Sequence, residues 1–229
     1  MPAPLPAIAV SDLGLVTRQG PVFSHLTFSA DRDRVTALLG STGSGKTALL
    51  LTLAGRMRAT EGSGSVCGLD LKRDAARVRR TVGLGLVNGV NDLDEPLTAG
   101  QHAREVMLFR GARRDTPQSV LARVGLAEDE RTPVRDLDVE QRERLGIALG
   151  LVGGSEVLVV DDVDHDLDVP QQERVMALLR AIAADGVTVL VACIDERTAR
   201  LADAFVRIDG PDPLPHPITT HEEIIDAIA

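Results

Sequence analysis

Gly40, Ser41, Thr42, Gly43, Ser44, Gly45, Lys46 and Thr47 complete the pattern G-x-x-x-x-G-K-[ST], and no other stretch of the chain limits its fold so tightly. An apolar run, Val35 to Leu39, precedes the pattern and a helix-forming run, Ala48 to Ala54, follows it, which is the order of strand, loop and helix that the motif requires. The glycines let successive backbone N–H groups turn inward around an anion, and the helix that begins near Lys46 aims its positive end at the same point. The loop predicts a nucleoside triphosphate site bounded by these residues and Ala48. Lys46 is expected to reach the β- and γ-phosphates and Thr47 to ligate magnesium.

Short apolar segments at Ile8 to Val16, Val22 to Phe28 and Val35 to Leu39 read as strands divided by Gly-Pro and Asp-rich turns. Beyond the loop and its helix, the pattern predicts a strand near Gly64 to Cys67, a helix carrying Lys72, Arg73, Arg77, Arg79 and Arg80, and a strand at Gly83 to Val87. From about Asp92 to Gly150 the spacing turns helical, as in Gln101 to Phe109, Pro117 to Val124 and Glu140 to Val152. Buried strands are expected at Val157 to Val160 and Val187 to Cys193, with a helix at Pro170 to Ala184 between them and a last strand near Phe205 to Ile208. A Pro-rich link, Pro211 to Pro217, and a helix opened by the capping box Thr220 to Glu223 complete the reading. Alternation of strands and helices implies a parallel sheet core.

The net charge of -9 argues against nucleic acid as the main partner, because that affinity comes from clustered Lys and Arg. The one basic cluster reads as a solvated helix face. Phe23, Phe28, Phe109 and Phe205 are the only aromatic residues, so a base has no Tyr or Trp to stack on. Cys67 and Cys193 read as reduced thiols, and neither a signal peptide nor a membrane-spanning run is evident, which predicts a cytoplasmic protein.

The strand Val157 to Val160 ends in Asp161, whose carboxylate would lie at the sheet's C-terminal edge and hold magnesium. Leu137-Asp138-Val139-Glu140-Gln141 lies upstream, ahead of the helix Arg142 to Val152, and Asp162 to Asp168 follows. Together these segments resemble the nucleotide-binding domain of ATP-binding cassette (ABC) proteins over about Ile8 to Gly210. The resemblance implies an α/β fold of the P-loop NTPase type within one domain, 1–229. Its parts would be a mostly parallel sheet core, an N-terminal antiparallel β part, an inserted helical subdomain at about 92–150, and a C-terminal link and helix at 211–229. It implies ATP and Mg²⁺ as ligands, with Asp161 completing the metal site and Asp162 and Lys46 as catalytic candidates. It further implies a separately encoded transmembrane partner, a location peripheral to the inner membrane face, and pairing as a homodimer or heterodimer.

Several positions depart from the family's pattern. Of its Leu-Ser-Gly-Gly-Gln signature, which opens a helix that touches the γ-phosphate on a partner domain, the chain keeps only Leu137 and Gln141. Asp138 and Glu140 would set two carboxylates against a triphosphate and oppose closure. Alternatively, Asp138 with Gln141 three positions on forms a capping box, so the helix start satisfies its own N–H groups. The family's catalytic Glu aligns with Asp162, one methylene shorter, and its switch His aligns with Ile194. Its γ-phosphate-sensing Gln aligns with Gly89, with Asn88 or Asn91 as shorter substitutes, and its adenine-stacking aromatic aligns with Gln19. Only the D-loop ending Leu167-Asp168 keeps its form.

The intact positions hold phosphate and magnesium, while the altered ones serve hydrolysis, sensing and closure. The expected function is an ATP-binding subunit of an ABC-type transport system with weak or absent turnover. A nucleotide-gated binding module without hydrolysis is the alternative, and a DNA-associated ATPase is disfavoured by the acidic charge. Asp162, Asp164, Asp166 and Glu173 fall at calcium-loop spacing, but Leu167 stands where that loop needs Gly. The histidines, among them His165 near the expected nucleotide, have no zinc spacing.

Overall fold

The computed structural model describes residues 5–210; the proline-rich link and the Thr220 to Glu223 capping box lie outside them. A four-stranded antiparallel sheet has the order β2-β1-β4-β5, formed by β1 (Ile8–Thr17), β2 (Gly20–Ala30), β4 (Glu61–Val66) and β5 (Leu69–Asp70). A five-stranded parallel sheet has the order β6-β7-β8-β3-β9, formed by β3 (Val35–Leu39), β6 (Val82–Leu84), β7 (Val157–Val160), β8 (Thr188–Cys193) and β9 (Ala204–Arg207). The helices are α1 (Lys46–Leu53), α2 (Ala75–Thr81), α3 (Ala99–Arg110), α4 (Pro117–Ala122), α5 (Val139–Gly150), α6 (Val169–Ala184) and α7 (Glu196–Ala199).

Strands β3, β7 and β8 are buried along their whole length, as unbroken apolar runs in a covered parallel sheet should be. Side chains alternate across the sheet, so its two faces feed two cores. Val35, Ala37, Leu158, Val160, Val189 and Val191 join α5 and α6 in one core. Leu38, Val157, Val159, Leu190 and Ala192 join α1 and the antiparallel sheet in the other. Helix α5 lies so close to the sheet that a Cβ on Gly83 would run into the Gly150 carbonyl. That approach fixes where the C-terminal end of α5 stands.

Expected boundaries hold for β3 and β7, and others shift. The strand expected at Gly83 to Val87 ends at Leu84, because Val87 turns away and its carbonyl accepts the Val90 N–H at 3.0 Å. Helix α1 starts at Lys46 because Gly45, at φ 90°, turns the chain straight from loop into helix. Two short elements, β5 and α7, were not expected from the spacing.

Candidate functional site

Parallel pairing assembles the site. Leu39 lies opposite Cys193 and Val160 opposite Val191, so the ends of β3, β7 and β8 meet at one edge of the sheet. The Gly40 N–H donates to the Cys193 carbonyl at 3.2 Å, which seats the phosphate loop against the end of β8. Gly45 is packed under β2, and a Cβ there would run into the Val22 carbonyl as well as needing a positive φ.

Lys46 is buried, and its Nζ donates to the carbonyl oxygens of Gly40 at 2.8 Å and Ser41 at 3.0 Å. Thr47 Oγ1 donates to Asp161 Oδ2 at 2.6 Å, joining the loop to the end of β7. Ser44 Oγ and Asp161 Oδ1 are buried without a hydrogen-bond partner, although buried polar atoms are nearly always paired. Burial pushes the Asp161 carboxyl up, against the opposing hydrogen bond from Thr47. A hydroxyl and a carboxylate at bonding distance, with a carboxylate oxygen left unpaired, suit a hard divalent cation such as Mg²⁺.

Glu143, which the sequence reading did not single out, belongs to the same neighbourhood. Its Oε1 is cut off from solvent and unpaired, and burial pushes its carboxyl up to about 8, with the charges of Asp161 and Asp162 adding. Its place three and four residues before the buried Gly146 and Ile147 was the available signal, since that spacing turns it toward the sheet.

Asp162 is exposed and takes a left-handed conformation at φ 43°. Ile194 stands at the end of β8 beside the loop and is 47% exposed. The two turns are tied together by Asp164, whose Oδ2 accepts the backbone N–H groups of Ile194 at 2.8 Å and Asp195 at 2.6 Å. Gln172 adds a second tie: its Nε2 donates to the Leu167 carbonyl at 2.8 Å, and its Oε1 accepts from Thr198 Oγ1 at 3.0 Å. Neither tie has a local sequence signal.

At α5, Asp138 Oδ1 accepts the Gln141 N–H at 2.8 Å while Gln141 Oε1 accepts the Asp138 N–H at 2.9 Å, so the capping box forms. Glu140 corrects the expectation of two free carboxylates. It is held by Arg174 Nη2 at 2.6 Å and Arg144 Nη2 at 2.8 Å, and Arg174 leads in drawing its carboxyl below the usual range. Asn91 is likewise no free sensor, because its side chain accepts the Val87 N–H at 2.8 Å and donates to the Gly85 carbonyl at 2.9 Å. Gly89 and Asn88 are exposed, Gln19 sits at the tip of the β1-β2 hairpin, and Asp168 caps α6 with Gln171. His165 lies 3.4 Å from Asp166 on the exposed D-loop. Among the described residues no group of three or more His, Cys, Asp or Glu is placed to hold a metal ion.

The loop on β3, the threonine-carboxylate contact to β7 and the parallel sheet between helical and antiparallel layers define a P-loop NTPase fold. The family model for ABC transporters matches residues 23–164, more than half of the chain, and the chain belongs to that family as a nucleotide-binding domain. The Nod factor export ATP-binding protein I of Ralstonia nicotianae is 29% identical over 97% of this chain and 72% of its own length. The macrolide export ATP-binding/permease protein MacB of Bradyrhizobium diazoefficiens is 30% identical over 82% of this chain, which spans only 30% of that protein. Among solved structures, CbiO1 of Clostridium perfringens, part of the ABC transporter complex CbiONQ, superposes with a TM-score of 0.76 at 21% identity, covering 97% of this chain and 94% of that one. An ATP-binding cassette in a dimeric post-hydrolysis state with ADP and Pi gives a TM-score of 0.75 at 20% identity, covering 88% and 94%.

Proposed function

We propose that the chain is the ATP-binding subunit of an ABC-type transport system, with Mg-ATP held by Gly40 to Thr47 and Asp161 and with turnover weak or absent. The observation that carries this reading is the Thr47 to Asp161 contact at 2.6 Å beside a buried Lys46. Bound Mg²⁺ would supply charge neutralisation at the β- and γ-phosphates. Lys46 is poised to exchange its two carbonyl partners for phosphate oxygens, and Asp162 is the residue positioned to take a proton from an attacking water. Ile194 has no proton to give or accept at the position of the family's switch His. These two positions favour slow chemistry.

No helix among the described residues is long and apolar enough to cross a membrane. A separately encoded membrane partner, reached from the cytoplasmic face, is part of the proposal. A nucleotide-gated module that docks without hydrolysis is the second reading, favoured by the same two positions.

Labelled nucleotide binding and turnover, measured on one purified sample beside Lys46→Ala, test both. Lys46-dependent binding with turnover well below about one per second, the low end of ordinary enzymes, supports the proposal. Complete absence of turnover favours the second reading, and absence of binding overturns both.

A further inference from the structure

We propose that the site chooses its ligand by the triphosphate and its cation alone, and takes purine and pyrimidine nucleoside triphosphates with nearly equal affinity. The inference rests on the proposed nucleotide-binding function and deepens it by naming the ligand class that the loop admits.

Gly45 lies so close under β2 that a Cβ there would run into the Val22 carbonyl, which places the tip of the β1-β2 hairpin, Thr17 to Gly20, at the rim of the phosphate loop. Gln19 is three positions before Val22, so the tip extends roughly 10 Å past that contact and flanks the sugar and base of a nucleotide whose phosphates fill the loop. Thr17 is occupied within the turn: its Oγ1 donates to the Gly20 carbonyl at 3.0 Å and accepts the Gln19 N–H at 3.2 Å. Arg18 and Gln19 are exposed, and neither tells one base from another. A guanidinium stacks on the π-face that every base has. A Gln amide carries both donors and an acceptor, so it turns to suit any base edge, in competition with water.

No ring from elsewhere in the chain takes their place. Phe23 is fully buried and packed against Gly45. Phe28 is half-buried against the core under the antiparallel sheet. Phe205 lies opposite Ala37 on the edge strand β9, with the Arg207 guanidinium 5.7 Å from its centre. Phe109 stands at the end of α3 beside a cavity lined by Leu84, Asn91, Leu93 and Leu149, to which the phosphate loop contributes nothing. The phosphate end is built in the opposite way, with Lys46 buried and with Ser44 Oγ and Asp161 Oδ1 buried and unpaired. Stacking on a ring tightens the binding of a base by about five- to a hundredfold. Without it, the affinity resides in the phosphates and the cation, which every nucleoside triphosphate brings alike.

The test is calorimetric titration of the full chain, in Mg²⁺, with ATP, GTP, CTP, UTP and inorganic tripolyphosphate. The four nucleotides are expected to bind within about threefold of one another, and tripolyphosphate within about tenfold of ATP. Gln19→Tyr sets a ring at the hairpin tip and is expected to tighten ATP and GTP by about fivefold or more while leaving tripolyphosphate unchanged. A preference for ATP over CTP or UTP of more than about tenfold overturns the inference. So does a Gln19→Tyr chain that binds purine nucleotides no more tightly than wild type, because the tip would then not border the base. Binding of none of the five ligands overturns the proposed function itself, which the other outcomes leave standing.

Discussion

Asp164 Oδ2 accepts the Ile194 backbone N–H at 2.8 Å, so the turn after β7 is bonded to the turn after β8 by a carboxylate two positions beyond Asp162. The Asp195 N–H shares the same oxygen at 2.6 Å. Hydrogen bonds to an ionised group are roughly twice as strong as neutral ones and contribute about 1.5–3 kcal/mol.

Asp164→Ala leaves two backbone donors without their partner, and a loss of about 2–4 kcal/mol is expected in denaturant unfolding. Asp164→Asn keeps an accepting oxygen and is expected to lose about half as much. Negligible losses for both substitutions would mean that the carboxylate does not stabilise the turns.

Asp161 is the second case. Its carboxyl is pushed up by burial, so the folded protein disfavours the ionised form that a cation would need. A raised folded value means stability is present below the unfolded value and lost as pH rises through the folded one. Without metal, Asp161→Asn is expected to melt at or above the wild-type temperature near neutral pH. With Mg-ATP the order reverses, because the variant loses the ligand that offsets burial. Equal stabilisation of both proteins by Mg-ATP would remove Asp161 from the metal site.

The effect is larger at Glu143, whose carboxyl moves from 4.5 to about 8. The folded state holds a proton that the unfolded chain releases, so stability is complete below the ordinary value and declines as pH climbs between those two values. Glu143→Gln imitates the protonated form at all pH values. It is expected to match wild type near about pH 4 and to melt on the order of ten degrees or more higher near about pH 8.5, given about 1.4 kcal/mol per unit and about 2–4 °C per kcal/mol at this size. Parallel melting curves across the range would show that Glu143 does not titrate in this window.

What could be read from the sequence was what depends on neighbours along the chain. Strands β3 and β7 were legible as unbroken apolar runs, and the Asp138 to Gln141 cap as a spacing of three. The Thr47 to Asp161 contact was implied by two motifs that a parallel sheet must bring to one edge. Contacts between distant elements left no comparable trace. Glu140 meets Arg174 from 34 positions away, and Asp164 meets Ile194 across 30. Asn91 looked available for sensing because nothing in its spacing reveals that Val87 and Gly85 already occupy its amide.

Repair of the chemistry tests the two positions that would act on water and on the transition state. Asp162→Glu lengthens the candidate base by one methylene, and Ile194→His restores a group able to donate a hydrogen bond in the transition state. Misplacement by about 1 Å can cost roughly a hundredfold in rate, and one transition-state hydrogen bond about 3–4 kcal/mol. Turnover by Asp162→Glu, Ile194→His is therefore expected to exceed wild type by about a hundredfold or more. If the pair left phosphate release at the wild-type rate in a steady-state assay, neither Asp162 nor Ile194 would account for slow turnover.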